Sequence, residues 1–448
     1  MSYIKGPSYT IRVVEGLATP KVNGREVTVG AELLKLDASL GVMGESLASL
    51  LLPAVNYSSD LASIVKSYRT RVVVEEASEA ITRLGPLAGL AKVPPYFFPI
   101  ARMSKLSWLY SCIFNESTHN VDLLEEIYSD YAKLVGDLTP EGYVKLSESK
   151  VKGSVASLIS GIVKSVAAGI SVAGAYMSFF MKSSECPPNV LLEDPYRTVV
   201  IPEGVLFSSC RWAPHPVELE LERATCRRSS LLYSSLLCED GNSRVVIKDY
   251  GYGTFKWLFA GVMSITAYPF IQTPSGRASN EYRRLLELRQ YVRTPRVLAL
   301  CINPMEASMV RDYVDGSDVL RSRETAHWQE AGKVLATVHR SGYALGDPNP
   351  SNVVIGRDGA WLIDVEQAGK FTPQRGAWDL AVFFYYSRFF GAPLDLVKES
   401  LRSYASSLEP SLWKKVRGQL FSARLAPFLA SLPLLFFELR SAVESIKP

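Results

Sequence analysis

The chain has 448 residues with 47% hydrophobic, 10% aromatic and 21% charged side chains, the balance of a folded protein with more than one core. A net charge of +4 is too small to signal nucleic acid or an acidic membrane. Six cysteines (112, 186, 210, 226, 238 and 301) make no CxxC pair and four histidines do not cluster. That pattern argues against a zinc site or a disulfide framework and leads to the expectation of a reducing, cytoplasmic setting. The first residues, MSYIKGPSYT, lack a basic-then-apolar leader pattern.

In chain order, Tyr9–Val14 and Glu26–Val29 read as the two arms of a hairpin turning at Asn23-Gly24. Helical patterns come next at Ala31–Leu52 and Val121–Val135, interrupted by Pro94-Pro95 and Pro99. Within 154–181, Val155, Leu158, Ile159, Ile162, Val163 and Val166 form an amphipathic stripe, and Ser165–Met181 carries no charge. A core helix is the favoured reading and membrane contact the alternative, because seventeen residues is short for a span. Residues 1–182 are therefore expected to form a mostly helical domain, which carries no chemical signature. Ser183–Asn189, with Pro187-Pro188, opens a linker at 183–194.

Strand-like runs then take over: Thr198–Ile201, Val217–Leu221, Leu231–Cys238 and Arg244–Lys248. A helix is expected from Ala278 to Val292, then strands at Val297–Leu300 and Ser308–Tyr313, and mainly helices from Thr325 onward. The result is an α+β reading: a strand-rich lobe with one helix (195–314), then a helical lobe (315–448).

The chemistry is concentrated in one segment. A helix, Glu330–His339, stops at Gly342, and the loop after it presents Asp347 and Asn352 five residues apart. Two short strands come after it, Val353–Ile355 and Trp361–Ile363, and the second delivers Asp364. Phosphoryl transfer calls for such a set: a carboxylate to orient the attacking hydroxyl, and oxygen ligands to hold Mg²⁺ against the phosphates of ATP.

Val338-His339-Arg340-Ser341-Gly342 through Asn352, then Leu362-Ile363-Asp364-Val365-Glu366 and Trp378-Asp379-Leu380-Ala381, resemble the motifs of the protein-kinase-like superfamily. The resemblance implies a bilobal kinase-like fold over about 195–448, with ATP and Mg²⁺ as cofactors. It makes Asp347 the catalytic carboxylate, Asn352 and Asp364 the metal ligands, and Asp379 and His339 supports of the catalytic loop. The family also needs a strand lysine paired with a helix glutamate. Lys248 ends the run Arg244–Ile247, whereas Lys256 has no strand pattern before it. Glu281 shares the apolar face of its helix with Leu285, Leu288 and Val292, so it is the expected partner. Asp312, Tyr313 and Val314 are expected at the interlobe hinge, contacting adenine.

Two departures from the family pattern stand out. Leu345 replaces the usual histidine of the catalytic loop, and the expected phosphate loop, Ala224–Ser230, has no glycine. Asp379 follows Asp364 by only 15 positions, and 69 residues come after it. That compactness is similar to RIO kinases, the kinase subunit of the KEOPS complex, and the aminoglycoside phosphotransferase and choline kinase group. The resemblance implies an atypical Ser/Thr protein kinase acting on a protein substrate. A small-molecule kinase and a pseudokinase scaffold are the alternatives.

Overall fold

The computed structural model describes residues 2–6, 9–18, 20–23, 26–105, 129–136, 138–146, 195–207, 225–228, 235–240, 243–251, 267–303 and 306–446. The chain divides into two compact units, Met1–Arg83 with Ala88–Ser208, and Leu84–Leu87 with Ser209–Pro448. Among the described residues no helix is long and apolar enough to cross a membrane. The stretch 154–181 and the linker 183–194 lie outside the described residues.

The first unit opens with strands β1 (Ser2–Lys5), β2 (Thr10–Val14), β3 (Lys21–Asn23) and β4 (Glu26–Gly30) and helix α1 (Ala31–Leu40). A short β5 (Asn56–Tyr57) completes a sheet in the order β3-β4-β2-β1-β5. The expected pairing of Tyr9–Val14 with Glu26–Val29 across Asn23-Gly24 is corrected here. Those two strands run parallel, Thr10 opposite Glu26, and the antiparallel partner across the turn is β3, Asn23 opposite Glu26. The turn signal marks a hairpin, but its first arm is the Lys21–Asn23 strand, too short for alternation to reveal.

The helix expected over Ala31–Leu52 ends at Leu40, because Gly41 takes a left-handed conformation with φ 66°, which glycine adopts without steric cost. The backbone beyond Gly41 is gathered around one carboxylate. Asp37, fully buried, accepts hydrogen bonds from the amides of Met43, Glu45, Leu47 and Ala48 at 2.7–3.1 Å. Those amides lie in turns or at the first residue of the 3₁₀ turn Ala48–Leu51, where no helical carbonyl serves them. Asp37→Ala would leave them unpaired in the core, so it should cost about 3 kcal/mol or more in denaturant unfolding. Asp37→Asn, which keeps one acceptor oxygen, should lose less. Equal midpoints for Asp37→Ala and the parent would show that the loop holds without it.

Helix α2 (Ala62–Leu84) and helix α3 (Phe97–Lys105) come next. Pro99 sits inside α3 rather than ending it. It occupies the first turn, where no intrahelical N–H bond is lost. Short strands β6 (Lys92–Val93), β7 (Val144–Lys145) and β8 (Val205–Phe207) complete the unit. The strand expected at Thr198–Ile201 is a 3₁₀ turn at Pro195–Thr198 with a single bridge from Val200 to Lys92.

The second unit begins its described structure with β9 (Thr225–Arg228), β10 (Ser235–Asp240) and β11 (Ser243–Asp249). Helix α4 (Pro274–Leu288) and strands β12 (Val297–Ile302) and β13 (Ala307–Asp312) come after them. These strands lie in the order β12-β13-β11-β10-β9, every pairing antiparallel. The expected phosphate loop is corrected: Thr225–Arg228 is strand, so the connection between the first two strands falls at 229–234, outside the described residues. Cys226 lies directly opposite Cys238 across β9 and β10, and the two form a disulfide; Cys301 is disulfide-bonded as well. This overturns the expectation from cysteine spacing. Strand register brings distant cysteines together that no local motif pairs, and the cysteines give no support to a reducing compartment.

The helical lobe starts with β14 (Gly316–Asp318) and α5 (Thr325–Arg340), then β15 (Tyr343–Ala344), β16 (Val353–Gly356), β17 (Gly359–Leu362) and β18 (Gly369–Lys370). Helices α6 (Pro373–Phe389), α7 (Leu394–Ser406), α8 (Pro410–Leu420), α9 (Ala426–Ala430) and α10 (Pro433–Glu444) complete it. Trp328, Ala331, Leu335 and Val338 form the buried stripe of α5 at three- and four-residue spacing. Thr372 caps α6 by accepting the Arg375 amide at 3.2 Å, with Pro373 at the first helical position.

Candidate active site

Lys248 reaches its place because β11 is held on both sides, Ser235 and Met309 standing opposite it. Its side chain is 5% exposed. The ammonium lies 2.7 Å from Glu281 Oε2, 2.8 Å from Asp364 Oδ2 and 3.3 Å from Glu366 Oε2. Glu281 comes from the buried face of α4, beside Leu285 and Leu288. Its other oxygen takes Arg311 Nη1 at 3.1 Å, and Tyr250 Oη donates to Oε2 at 2.6 Å. Arg277 Nη1 stands 3.4 Å from Glu366 Oε2. Three buried cations thus face three carboxylates, which is the condition for keeping such charges out of water.

The titration shifts follow from this packing. Burial alone would push Lys248 toward neutrality, but Asp364, then Glu281 and Glu366, hold it above its ordinary value. Burial likewise works to raise Asp364, yet Lys248 and Arg311 keep its carboxyl below the usual range. Glu366 is pushed up to about 7, by burial first, with Lys248 pulling it down and Asp364 pushing it further up.

The loop carrying Asp347 is fixed from below. Asp379, fully buried on α6, accepts the amides of Leu345 at 2.6 Å and Gly346 at 2.8 Å. It also takes His339 Nε2 at 3.0 Å, while His339 Nδ1 meets Tyr404 Oη at 2.7 Å. Trp378 Nε1 donates to the Gly346 carbonyl at 2.8 Å. Gly346 has φ 76° and a Cβ there would fall 2.6 Å from the Tyr268 ring, so glycine is required on both counts. Asn349 caps the 3₁₀ turn Pro350–Asn352 by accepting the Ser351 amide at 3.1 Å.

Asn352 Nδ2 donates to the Asp347 carbonyl at 3.2 Å, and the Ile363 amide donates to the Asn352 carbonyl at 2.9 Å. These bonds place Asn352 and Asp364 at adjoining strand ends. With its amide nitrogen committed to the Asp347 carbonyl, Asn352 has Oδ1 to offer. Together with the Asp364 carboxylate this is an all-oxygen donor set, which suits magnesium. Glu281, Asp364 and Glu366 also present oxygens within 4.8 Å of one another, but Lys248 sits among them and supplies the positive charge there.

At the expected hinge, the Tyr313 amide donates to the Arg244 carbonyl at 3.3 Å, Arg244 lies over the Tyr313 ring at 4.8 Å, and Asp312 pairs with Arg296 at 3.3 Å. Val314 is the next residue along. Lys256, the competitor of Lys248, lies outside the described residues. Sequence reasoning missed the buried charges of Arg277 and Arg311. Arg311 stands in a largely apolar strand, while Arg277 stands among small and polar residues one helical turn before Glu281, and an exposed arginine would look the same in either place.

No family model matches the chain. A curated relative, "Probable bifunctional tRNA threonylcarbamoyladenosine biosynthesis protein" of Natronomonas pharaonis, is 36% identical over 91 residues, 20% of this chain and 17% of that protein's length. Among solved structures, an aminoglycoside-3'-phosphotransferase of type VIII is 15% identical over 46% of this chain and 93% of its own, with a TM-score of 0.31. WaaP in complex with acyl carrier protein is 12% identical over 51% of this chain and 92% of its own, with a TM-score of 0.30. The five antiparallel strands with one helix, the paired Lys248 and Glu281, and the helical lobe with its Asp379-anchored loop together make a bilobal kinase-like fold.

Proposed function

We propose that the chain is a kinase, a phosphotransferase that uses ATP and Mg²⁺, and more finely an atypical Ser/Thr protein kinase. The observation that carries the reading is the convergence of Lys248, Glu281 and Asp364 within 2.8 Å contacts. The Asp347–Asn352 loop, tied to the same strand end through Asn352 and Ile363, extends that set. In this reading Lys248 holds the nucleotide phosphates, Glu281 keeps Lys248 in place, and Asn352 with Asp364 holds the metal. Bound magnesium would neutralise charge on the phosphates. Asp347 orients the acceptor hydroxyl and takes up its proton, while the backbone of Asp312–Val314 contacts the adenine.

The order Asp364-Val365-Glu366 favours a second reading, a small-molecule kinase, because that group has glutamate at the same place in its metal motif. The match to a protein named for tRNA threonylcarbamoyladenosine biosynthesis supports including tRNA-modification components among the acceptors offered. The test begins with nucleotide. Calorimetric titration should give ATP binding that tightens on adding Mg²⁺, and Asp364→Ala should remove the tightening. ATP binding indifferent to Mg²⁺, or absent, would return the chain to the scaffold reading.

A further inference from the structure

A cavity of about 620 Å³ shares Asp312, Tyr313 and Val314 with the proposed adenine contact, and includes neither Lys248, Asp347 nor Asp364 in its walls. Four arginines from three separate places converge on it. Arg244 comes from the start of β11, Arg289 and Arg296 from the segment between α4 and β12, and Arg357 from the β16–β17 turn. Trp361 of β17 forms part of the same wall. Three of the arginines already have partners: Arg296 pairs with Asp312 at 3.3 Å and Arg244 with Asp315 at 3.5 Å, and Arg289 donates to Thr294 Oγ1 at 3.3 Å and to the Pro295 carbonyl at 2.9 Å. Arg357 is exposed at the rim, next to Asp358.

We infer that this cavity is a binding site for a small phosphorylated ligand, separate from the cleft at Lys248. The guanidinium fork matches phosphate oxygens in pairs, and arginines on opposing walls can take one anion between them. The volume is that of a small-molecule site. Interleaved Asp312, Asp315 and Asp358 break the continuous positive track that a nucleic-acid backbone would follow, so the ligand is a discrete anion. Trp361, in the same lining, is an aromatic side chain of the kind that packs against a base or sugar. Burial lowers Arg289 below the usual guanidinium range; Asp312 works against that and the like charge of Arg296 adds to it. An anion beside Arg289 favours its charged form.

The test is calorimetric titration of the full chain with pyrophosphate and with AMP, in magnesium-free buffer. Both probes are expected to bind saturably. Arg357→Ala should weaken them about tenfold or more, the scale of a lost charge-assisted hydrogen bond, with an unchanged melting temperature because Arg357 is exposed. Arg289→Gln should weaken them similarly. AMP binding that falls with Arg357→Ala marks a nucleotide as the source of the phosphate, and pyrophosphate binding that falls while AMP binding, taken up at the proposed adenine contact, does not fall marks a free polyphosphate; either outcome supports the site. Failure of both probes to bind, or Arg357→Ala binding them as the parent does, overturns it, as does an RNA duplex that binds where pyrophosphate does not. None of these readouts requires phosphoryl transfer, so they stand apart from the proposed kinase activity.

Discussion

Asp347→Asn is expected to depress phosphoryl transfer by about 10²-fold or more, the usual loss when a general base is removed, while leaving ATP binding close to that of the parent. The substitution keeps the side chain's shape and one acceptor oxygen but discards the charge that receives the proton. The loop around it should not move. Its position is set by Asp379 through the amides of Leu345 and Gly346 and by Asn352 through the Asp347 carbonyl, none of which uses the Asp347 carboxylate. Asp364→Asn should behave differently, weakening metal-dependent nucleotide binding along with turnover. Because the acceptor is open, the assay has to offer both Ser/Thr proteins and small alcohols such as choline and aminoglycosides. If Asp347→Asn matches the parent with every acceptor that the parent phosphorylates, another residue does the work and the proposed mechanism is wrong.

How much of the fold and site is legible in the sequence depends on how local the determining physics is. Glu281 can be placed because a carboxylate at the head of an apolar helical stripe has to meet a buried cation. Lys248 can be placed because a lysine ending a β-branched run is anchored on rigid backbone. The structure puts the two 2.7 Å apart. The loop from Gly342 to Asn352 is readable because turn residues, proline and a capping asparagine determine its course over a few positions. Register is not readable. The parallel pairing of Thr10–Val14 with Glu26–Gly30 and the Cys226–Cys238 pairing depend on which strands meet, and alternation within a strand does not specify its neighbour. The break at Gly41 is obscured for another reason: the apolar pattern continues past it into turns whose amides are satisfied by Asp37 rather than by helical carbonyls.

Lys248→Met should have the largest effect on stability, and its pH dependence has a definite sign. The parent core contains three carboxylates held by three cations, with Lys248 touching all three acids. Removing one partner of a buried ionic set costs about 3–5 kcal/mol. In the metal-free parent, Glu366 is already raised to about 7. Its contribution to stability is therefore complete below the ordinary value of 4.5 and is lost as pH rises through about 7. Asp364 acts in the opposite sense: held low by Lys248, its contribution is present above 3.8 and is lost as pH falls through its folded value. Without Lys248, both acids lose the charge that favours their ionised forms, so both titrate higher. At pH 8 the variant must keep Asp364 and Glu366 ionised with only Arg277 and Arg311 near them, or fold with protons that they bind poorly. At pH 5 Glu366 is neutral, and the missing cation matters less. The stability deficit, measured by urea unfolding across this range, should thus be greatest near pH 8 and shrink toward pH 5. A deficit that is constant with pH would mean that Lys248 contributes through the packing of its alkyl chain rather than through charge. A deficit that grows toward pH 5 would place the titrating carboxylates elsewhere in the fold.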